Sequence, residues 1–247
     1  MGEISIKERD GVALWRLDYP PVNAIGFEML ERLDELLQDA EQNRAVRAVV
    51  ITGKGPTFAA GADIQGFLKL GGSLVDFMEK GAALFSRIVE SPLPFVAAVN
   101  GPALGGGNEL AMACDIRLAS SHARFGQPEV NLGIIPGWGG TLRLPTLVGM
   151  AHARRMLLTG EPVMADEARQ MGLVDQVVEP GLLVEAALNM GDRLASLPPL
   201  ALGAIKKLLA KSLEDEMDAI KELMVSQDAM EGIRAFLGHR RPQFTGQ

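Results

Sequence analysis

The sequence predicts an α/β protein in which strands and helices alternate over the first two-thirds and helices fill almost all of the last third. Three observations carry this. Residues 45–52 and 95–99 are short, nearly continuous apolar runs, which read as buried strands. Apolar residues at helical spacing recur between them, so the strand–helix–strand order forms a crossover unit. Beyond Pro198 and Pro199 the pattern stays helical to near the end. This alternation does not separate a spiral from a doubly wound sheet.

The elements follow in order. Residues 4–7 and 12–17 alternate in polarity around Asp10-Gly11, a strand pair closed by a hairpin turn and ended by Tyr19-Pro20-Pro21. Phe27, Leu30, Leu33, Leu36 and Leu37 share one helical face, predicting a helix over 26–42. The strand at 45–52 runs into Gly53-Lys54-Gly55-Pro56, a loop. A helix over 74–89 is closed by Pro92 and Pro94, and the strand 95–99 follows. Glycines then open a helix at 106–114, and 115–119 resumes strand. Helices are expected at 143–157, 165–171 and 182–197, with a short strand at 174–178, and then at 201–211 and 213–236. No internal repeat or low-complexity segment stands out.

Composition narrows the classes. A chain of 247 residues with 47% hydrophobic content supports one large core, with at most a small helical appendage. Its net charge of −7 argues against nucleic acid as the main partner, which needs a basic face. Cys114 is the single cysteine, so there is no disulfide framework, which suits a reducing cytosol. The charged first 20 residues do not read as a secretory signal, and no 18-residue apolar run predicts a membrane span. A cytoplasmic location is the expectation.

The chemistry concentrates in residues 95–149. Gly105-Gly106-Gly107 leads into Asn108-Glu109, a glycine turn at a helix start whose free N–H groups and dipole favour an anion. The same residues also fit a close packing turn, with Glu109 merely favoured in a first helical turn. Neither a dinucleotide fingerprint nor a nucleotide-hydrolase loop fits, because Leu110 occupies the third glycine position and Gly53-Lys54 lacks its flanking residues. Glu129 follows Pro128 on a turn or helix start; it reads either as a solvated turn residue or as a carboxylate converging with Glu109 at one sheet end. Residues 58–64 form a small, glycine-broken loop able to bring a second set of N–H groups to a carbonyl oxygen. His122, His152 and His239 are scattered and suggest no triad; Cys114 reads as core and Asp115 as a residue that caps or positions backbone at a helix–strand junction. Trp138, in the glycine cluster 136–140, suits a pocket wall and a packing role equally.

Several motifs in one order carry a family resemblance: FAAGADI at 58–64, AVNGPALGGGNELA at 98–111, Asp115, FGQPE at 125–129, GIIPGWGGTLRL at 133–144, Leu158-Thr159-Gly160, the GLVDQVV region within 168–178 and the segment 236–244. The chain resembles the enoyl-CoA hydratase/isomerase (crotonase) superfamily over nearly its whole length. That resemblance implies a spiral of β-β-α units over 1–195, carrying the CoA and active sites, and a helical C-terminal trimerisation region over 196–247. Trimers would pair into hexamers, with Leu202, Ile205, Leu208, Leu209, Ile220, Leu223 and Met224 as candidates for burial. The thioester oxygen would lie between the N–H groups of Ala62 and Gly106. Ala60, Ala62, Asp63, Ile64 and Gln65 would contact CoA. Lys206, Lys207 and Lys211 would be either a solvated helix face or a site for CoA phosphates. The presence of both Glu109 and Glu129 is most like a 2-enoyl-CoA hydratase of β-oxidation type. Such an enzyme adds water across trans-2-enoyl-CoA, needing no metal or cofactor, with CoA as part of the substrate. An enoyl-CoA isomerase or another acyl-CoA lyase is the alternative, and a non-catalytic RNA-binding role is disfavoured by the acidic balance. On this reading Gly106→Pro removes an oxyanion donor, while Gly106→Ala keeps it.

Overall fold

The computed structural model describes residues 2–63, 66, 74–209 and 226–247. Strands β1 (Glu3–Arg9) and β2 (Val12–Asp18) pair antiparallel from Glu3↔Asp18 to Arg9↔Val12. Asp10 and Gly11 turn the hairpin with φ of 48° and 86°, the doubly left-handed turn that matches strand twist. From β2 onward the main sheet is parallel: β3 (Ala48–Gly53), β4 (Phe95–Val99), β6 (Ile116–Ser120) and β9 (Gln176–Val178) complete the order β1-β2-β3-β4-β6-β9.

Every residue of β3 and β4 is buried because helices cover both faces, which is why these strands read as unbroken apolar runs. Val49, Ile51, Phe95 and Ala97 face a core shared with α1 (Phe27–Gln42) and α2 (Leu74–Glu90), through Leu30, Leu33, Leu37, Phe85 and Ile88. Val50, Val96 and Ala98 face the opposite way, toward Leu183 and Ala187 of α6 (Leu183–Ala195).

A second sheet was not anticipated. It joins β5 (Ala103–Leu104), β7 (Arg124–Gly126) and β8 (Val163–Met164), with Ala59 bridged in parallel to Ala103 at its edge. Two or three residues are too few to show a period of two, so sequence patterning passes over them. This small sheet reveals the repeat. β3, Ala59 and α2 form one turn; β4, β5 and α3 (Gly106–Ala113) the next; β6, β7 and α4 (Gly140–Thr159) the third. The fold is therefore the spiral of β-β-α units that the resemblance implied, a repeat of structure without a repeat of sequence. Helix α4 begins three residues before the expected 143 and is interrupted at Gly149, whose φ of 74° and ψ of 158° are not helical.

After the short α5 (Ala165–Gln170), the C-terminal part contributes α7 (Pro199–Leu208) and α8 (Gln227–Leu237). The stretch 210–225, with Lys211, Ile220, Leu223 and Met224, lies outside the described residues. Leu202 and Leu208 are half-buried, whereas Ile205 and Leu209 are 56% and 80% exposed. Lys206 corrects the expectation of a solvated lysine face. Its ammonium is buried and donates to Leu93 O at 2.7 Å, Ile88 O at 3.4 Å and Asp115 Oδ2 at 2.7 Å. A cation held this way is not available to CoA phosphates; it fastens α7 to the junction between α3 and β6. Asp115 also accepts the Phe95 N–H at 2.7 Å, the positioning role expected of it. Among the described residues no helix is long and apolar enough to cross a membrane.

Lys206→Met leaves the Asp115 carboxylate in a largely buried position without its counter-ion and is expected to destabilise the fold by about 2–3 kcal/mol. Adding Asp115→Asn should restore most of the loss, since a neutral amide still accepts the Phe95 N–H. Urea midpoints of the two variants and the parent measure both effects. A single variant as stable as the parent would remove this pair from the supports of the fold.

Candidate active site

The site grows out of the small sheet. Ala59, Ala103 and Phe125 lie side by side in parallel register. The residues just beyond them, Ala62, Gly106, Pro128 and Glu129, line one cavity of about 110 Å³ together with Ala60, Gly61, Gly105 and Glu109. Its remaining walls are apolar: Met78 of α2, Leu132, Ile134 and Ile135, then Gly137 and Trp138.

The loop at 57–63 is strapped to residues 22–25. Ala60 N–H donates to Val22 O at 3.1 Å, Ile25 N–H to Gly61 O at 2.8 Å and Asp63 N–H to Ile25 O at 2.9 Å. Buried Asn23 completes the strap, accepting from Tyr19 N–H at 2.8 Å and donating to Thr57 O at 2.8 Å. The amides of Phe58, Ala59, Ala60 and Asp63 are all bonded, whereas Ala62 N–H meets no acceptor among the described residues. Gly106, as the first residue of α3, likewise has an N–H outside the helical ladder and meets none. A Cβ built on Gly106 would be 3.5 Å from Ala62 N, so the two free amides are neighbours.

Each glycine of the triplet has its own steric reason. Gly105 adopts φ 50° and ψ −124°, and a Cβ there would be 2.7 Å from Glu129 Oε1. A Cβ on Gly107 would overlap the Ala59 carbonyl, and one on Gly106 would overlap the Trp138 ring. The packing-turn reading and the anion reading therefore both hold. Gly106→Ala also ceases to be a silent control, because its methyl pushes on a buried indole.

Glu109 sits in the first turn of α3 at 2% exposure. Its Oε1 accepts two backbone N–H groups, from Trp138 and Gly140, each at 2.7 Å, while Oε2 has no protein donor among the described residues. Burial pushes its pKa from the ordinary 4.5 up to about 7, against the pull of those two N–H groups, and the nearby Glu129 charge adds to the rise. Glu129 lies on the 3-10 turn Pro128–Leu132, where burial also raises its pKa. The buried Gln127 amide, oriented as its hydrogen-bond network requires, donates to both Glu129 oxygens at 3.2 Å.

The structure thus brings together Ala60, Ala62, Gly106, Glu109 and Glu129. Asp63 points into a neighbouring depression with Tyr19, Phe27 and Phe77, and its Oδ1 accepts Gly66 N–H at 3.0 Å. Ile64 and Gln65 lie outside the described residues. Trp138 fills both of its roles, lining the cavity and packing at 2% exposure. Cys114 is core, its thiol pushed up to about 12 by burial. Asn23, Gln127, Met78 and Arg143 were not anticipated. Arg143 donates from Nη1 to Trp138 O at 2.6 Å, so it pins the turn that carries both donors to Glu109. The FGQPE motif holds Gln127, but a lone amide in a turn gives no sign of its partner; Arg143 reads as one more helix-surface cation. Among the described residues no group of three His, Cys, Asp or Glu could hold a metal ion.

The chain matches the family model described as enoyl-CoA hydratase/isomerase over residues 7–247. It is 41% identical to a probable enoyl-CoA hydratase of Bacillus subtilis, with 100% of each chain covered. It is 38% identical to the short-chain-enoyl-CoA hydratase of Clostridium acetobutylicum, covering 96% of this chain and 95% of that one. The crystal structure of an enoyl-CoA hydratase from Bacillus anthracis superposes with a TM-score of 0.95 at 33% identity, covering 99% of each chain.

The raised Glu109 pKa has a stability consequence of defined sign. The folded protein binds this proton more tightly than the unfolded chain, so stability falls as pH rises from 4.5 through about 7. Glu109→Gln removes the buried charge yet keeps an oxygen for both N–H groups. It is expected to be more stable than the parent at pH 8 by roughly 3 kcal/mol, and equal to it below about pH 4.5. Denaturant titrations at pH 8 and at pH 4.5 measure this. A variant no more stable than the parent at pH 8 would contradict a burial-raised proton affinity at Glu109.

Proposed function

The chain belongs to the enoyl-CoA hydratase/isomerase family, and we propose that it is a 2-enoyl-CoA hydratase, adding water to trans-2-enoyl-CoA thioesters to give 3-hydroxyacyl-CoA. One observation carries the reading: a buried carboxylate, a half-buried one and two unclaimed backbone N–H groups meet in one apolar cavity. The thioester oxygen is held by Ala62 N–H and Gly106 N–H, and Ala60 lies beside it along the acyl-CoA. These donors stabilise the enolate-like charge that builds on the oxygen as C3 is attacked. Glu109, through its free Oε2, takes a proton from water and directs the oxygen to C3. Glu129 delivers a proton to C2. The π electrons of the double bond become the C2–H bond by way of the enolate, and the water oxygen forms the C3–O bond. One proton enters the carboxylate pair and one leaves it, so the pair carries the same single proton before and after. The raised pKa values of both groups suit this sharing. The reaction moves only water, so no metal or redox cofactor is invoked.

We propose further that the chain assembles as a homotrimer, or as a hexamer of two trimers. Ile205, Leu209 and Leu237 support this, being 56%, 80% and 72% exposed on C-terminal helices that a single chain leaves uncovered. Sedimentation should give three or six times the chain mass, and a monomer at micromolar concentration would refute assembly.

Glu109→Gln and Glu129→Gln should each lower hydration of crotonyl-CoA by about 10²–10⁴, the range of one positioned acid or base, with circular dichroism unchanged. For the parent, kcat/KM should climb as pH rises through about 7 and Glu109 ionises. Near-parental turnover in either folded variant would sink the two-carboxylate mechanism. A 3-enoyl-CoA consumed faster than crotonyl-CoA would instead favour the double-bond isomerase.

A further inference from the structure

Resting on the hydratase reading, we propose that Trp138 sets the length of acyl chain the enzyme accepts: its indole closes the inner end of the cavity and restricts the substrate to short trans-2-enoyl-CoAs. Space is the first argument. The cavity measures about 110 Å³, less than the roughly 150 Å³ engineered void that takes one benzene. It must hold the thioester and the attacking water as well as the acyl carbons. A water's share is about 30 Å³, so about four acyl carbons fill what remains.

Rigidity is the second. The indole meets Phe77 and Phe85 of α2 edge to face, with ring centroids 5.3 Å away in both cases and interplanar angles of 70° and 76°. It passes Gly81 on α2 and Gly106 on α3 so closely that a Cβ at either glycine would overlap it. The ring cannot swing aside without displacing two buried phenylalanines. Its main chain cannot retreat either, because Trp138 N–H is bonded to Glu109 and Trp138 O to Arg143.

The indole nitrogen is the third. Nε1 is buried with no acceptor among the described residues. Such an orphaned donor costs stability that a phenyl ring would not. What the indole gains over a phenyl ring here is volume, and that volume is what shortens the cavity. The flank is softer: Met78 lies over Gly137, and an unbranched thioether yields to a methylene or two where the indole does not.

Two series test this. The first measures kcat/KM for crotonyl-, hexenoyl-, octenoyl- and decenoyl-CoA, and the dissociation constants of the matching saturated acyl-CoAs by calorimetry. Both should worsen by about tenfold or more between the six- and eight-carbon chains, as each unaccommodated methylene costs discrimination. The second repeats the measurements on Trp138→Phe and Trp138→Leu. The ratio of octenoyl to crotonyl turnover should rise about tenfold in either, whatever happens to absolute turnover. A parent enzyme that handles decenoyl-CoA as well as crotonyl-CoA, its tail laid outward over Ile134 and Ile135, overturns the proposal. So does an unchanged ratio in a folded variant. If both variants fail to fold, the parental profile decides alone. The two readings fail separately: hydration of all lengths alike removes the stop and keeps the hydratase, whereas a length cut-off in binding without hydration removes the hydratase and keeps the stop.

Discussion

The parallel register of Ala59, Ala103 and Phe125 is the constraint on which the site depends. Neighbouring strands lie about 4.8 Å apart, and an oxygen held by two N–H groups sits about 2.9 Å from each. Amides at matching positions of adjacent turns are thus spaced to share one oxygen between them. Three residues beyond the register row, the first two turns present Ala62 and Gly106, and the third presents Pro128 and then Glu129. Backbone pairing sets this row, and the buried Asn23 side chain holds the 57–63 loop to it through Thr57 O. A slip of one residue in either pairing would turn the whole row over.

The carboxylates show how the surrounding protein chooses a proton affinity. An arginine bonded to Glu109 would hold it ionised far below neutrality. Arg143 instead gives its Nη1 to the Trp138 carbonyl, and the carboxylate receives two neutral amides, Trp138 N–H and Gly140 N–H. Two such bonds offset only part of the burial, and the balance falls at about 7. That is the range in which a group can both take and return a proton at physiological pH.

Much of this was legible in the sequence, for identifiable reasons. Residues 48–53 and 95–99 are buried on both faces, so their apolar runs announce strands. The four leucines and one phenylalanine of α1 announce a one-sided helix. Glu109 and the glycines before it are contiguous, so their joint role shows in one line of text. What escaped depends on partners far off in the chain. Strands β5, β7 and β8 are defined by each other and not by any internal period. Lys206 looks like a surface lysine until Asp115 arrives from 91 positions away. Asn23 and Thr57, or Trp138 and Gly81, are likewise pairs that only folding brings together. The kink at Gly149 leaves no mark in composition because the flanking turns are both good helix.

Four of the groups at this site belong to the main chain: the amides of Ala62 and Gly106 at the cavity, and those of Trp138 and Gly140 on Glu109. Substitution alters side chains and, proline aside, leaves every one of these donors in place. An alanine scan would credit the two glutamates and file the rest as folding defects. Mutational drift meets the same asymmetry. At position 138 the side chain can change what fits the cavity while the peptide beneath it goes on holding the carboxylate, so selectivity and proton chemistry are encoded in different atoms of one residue.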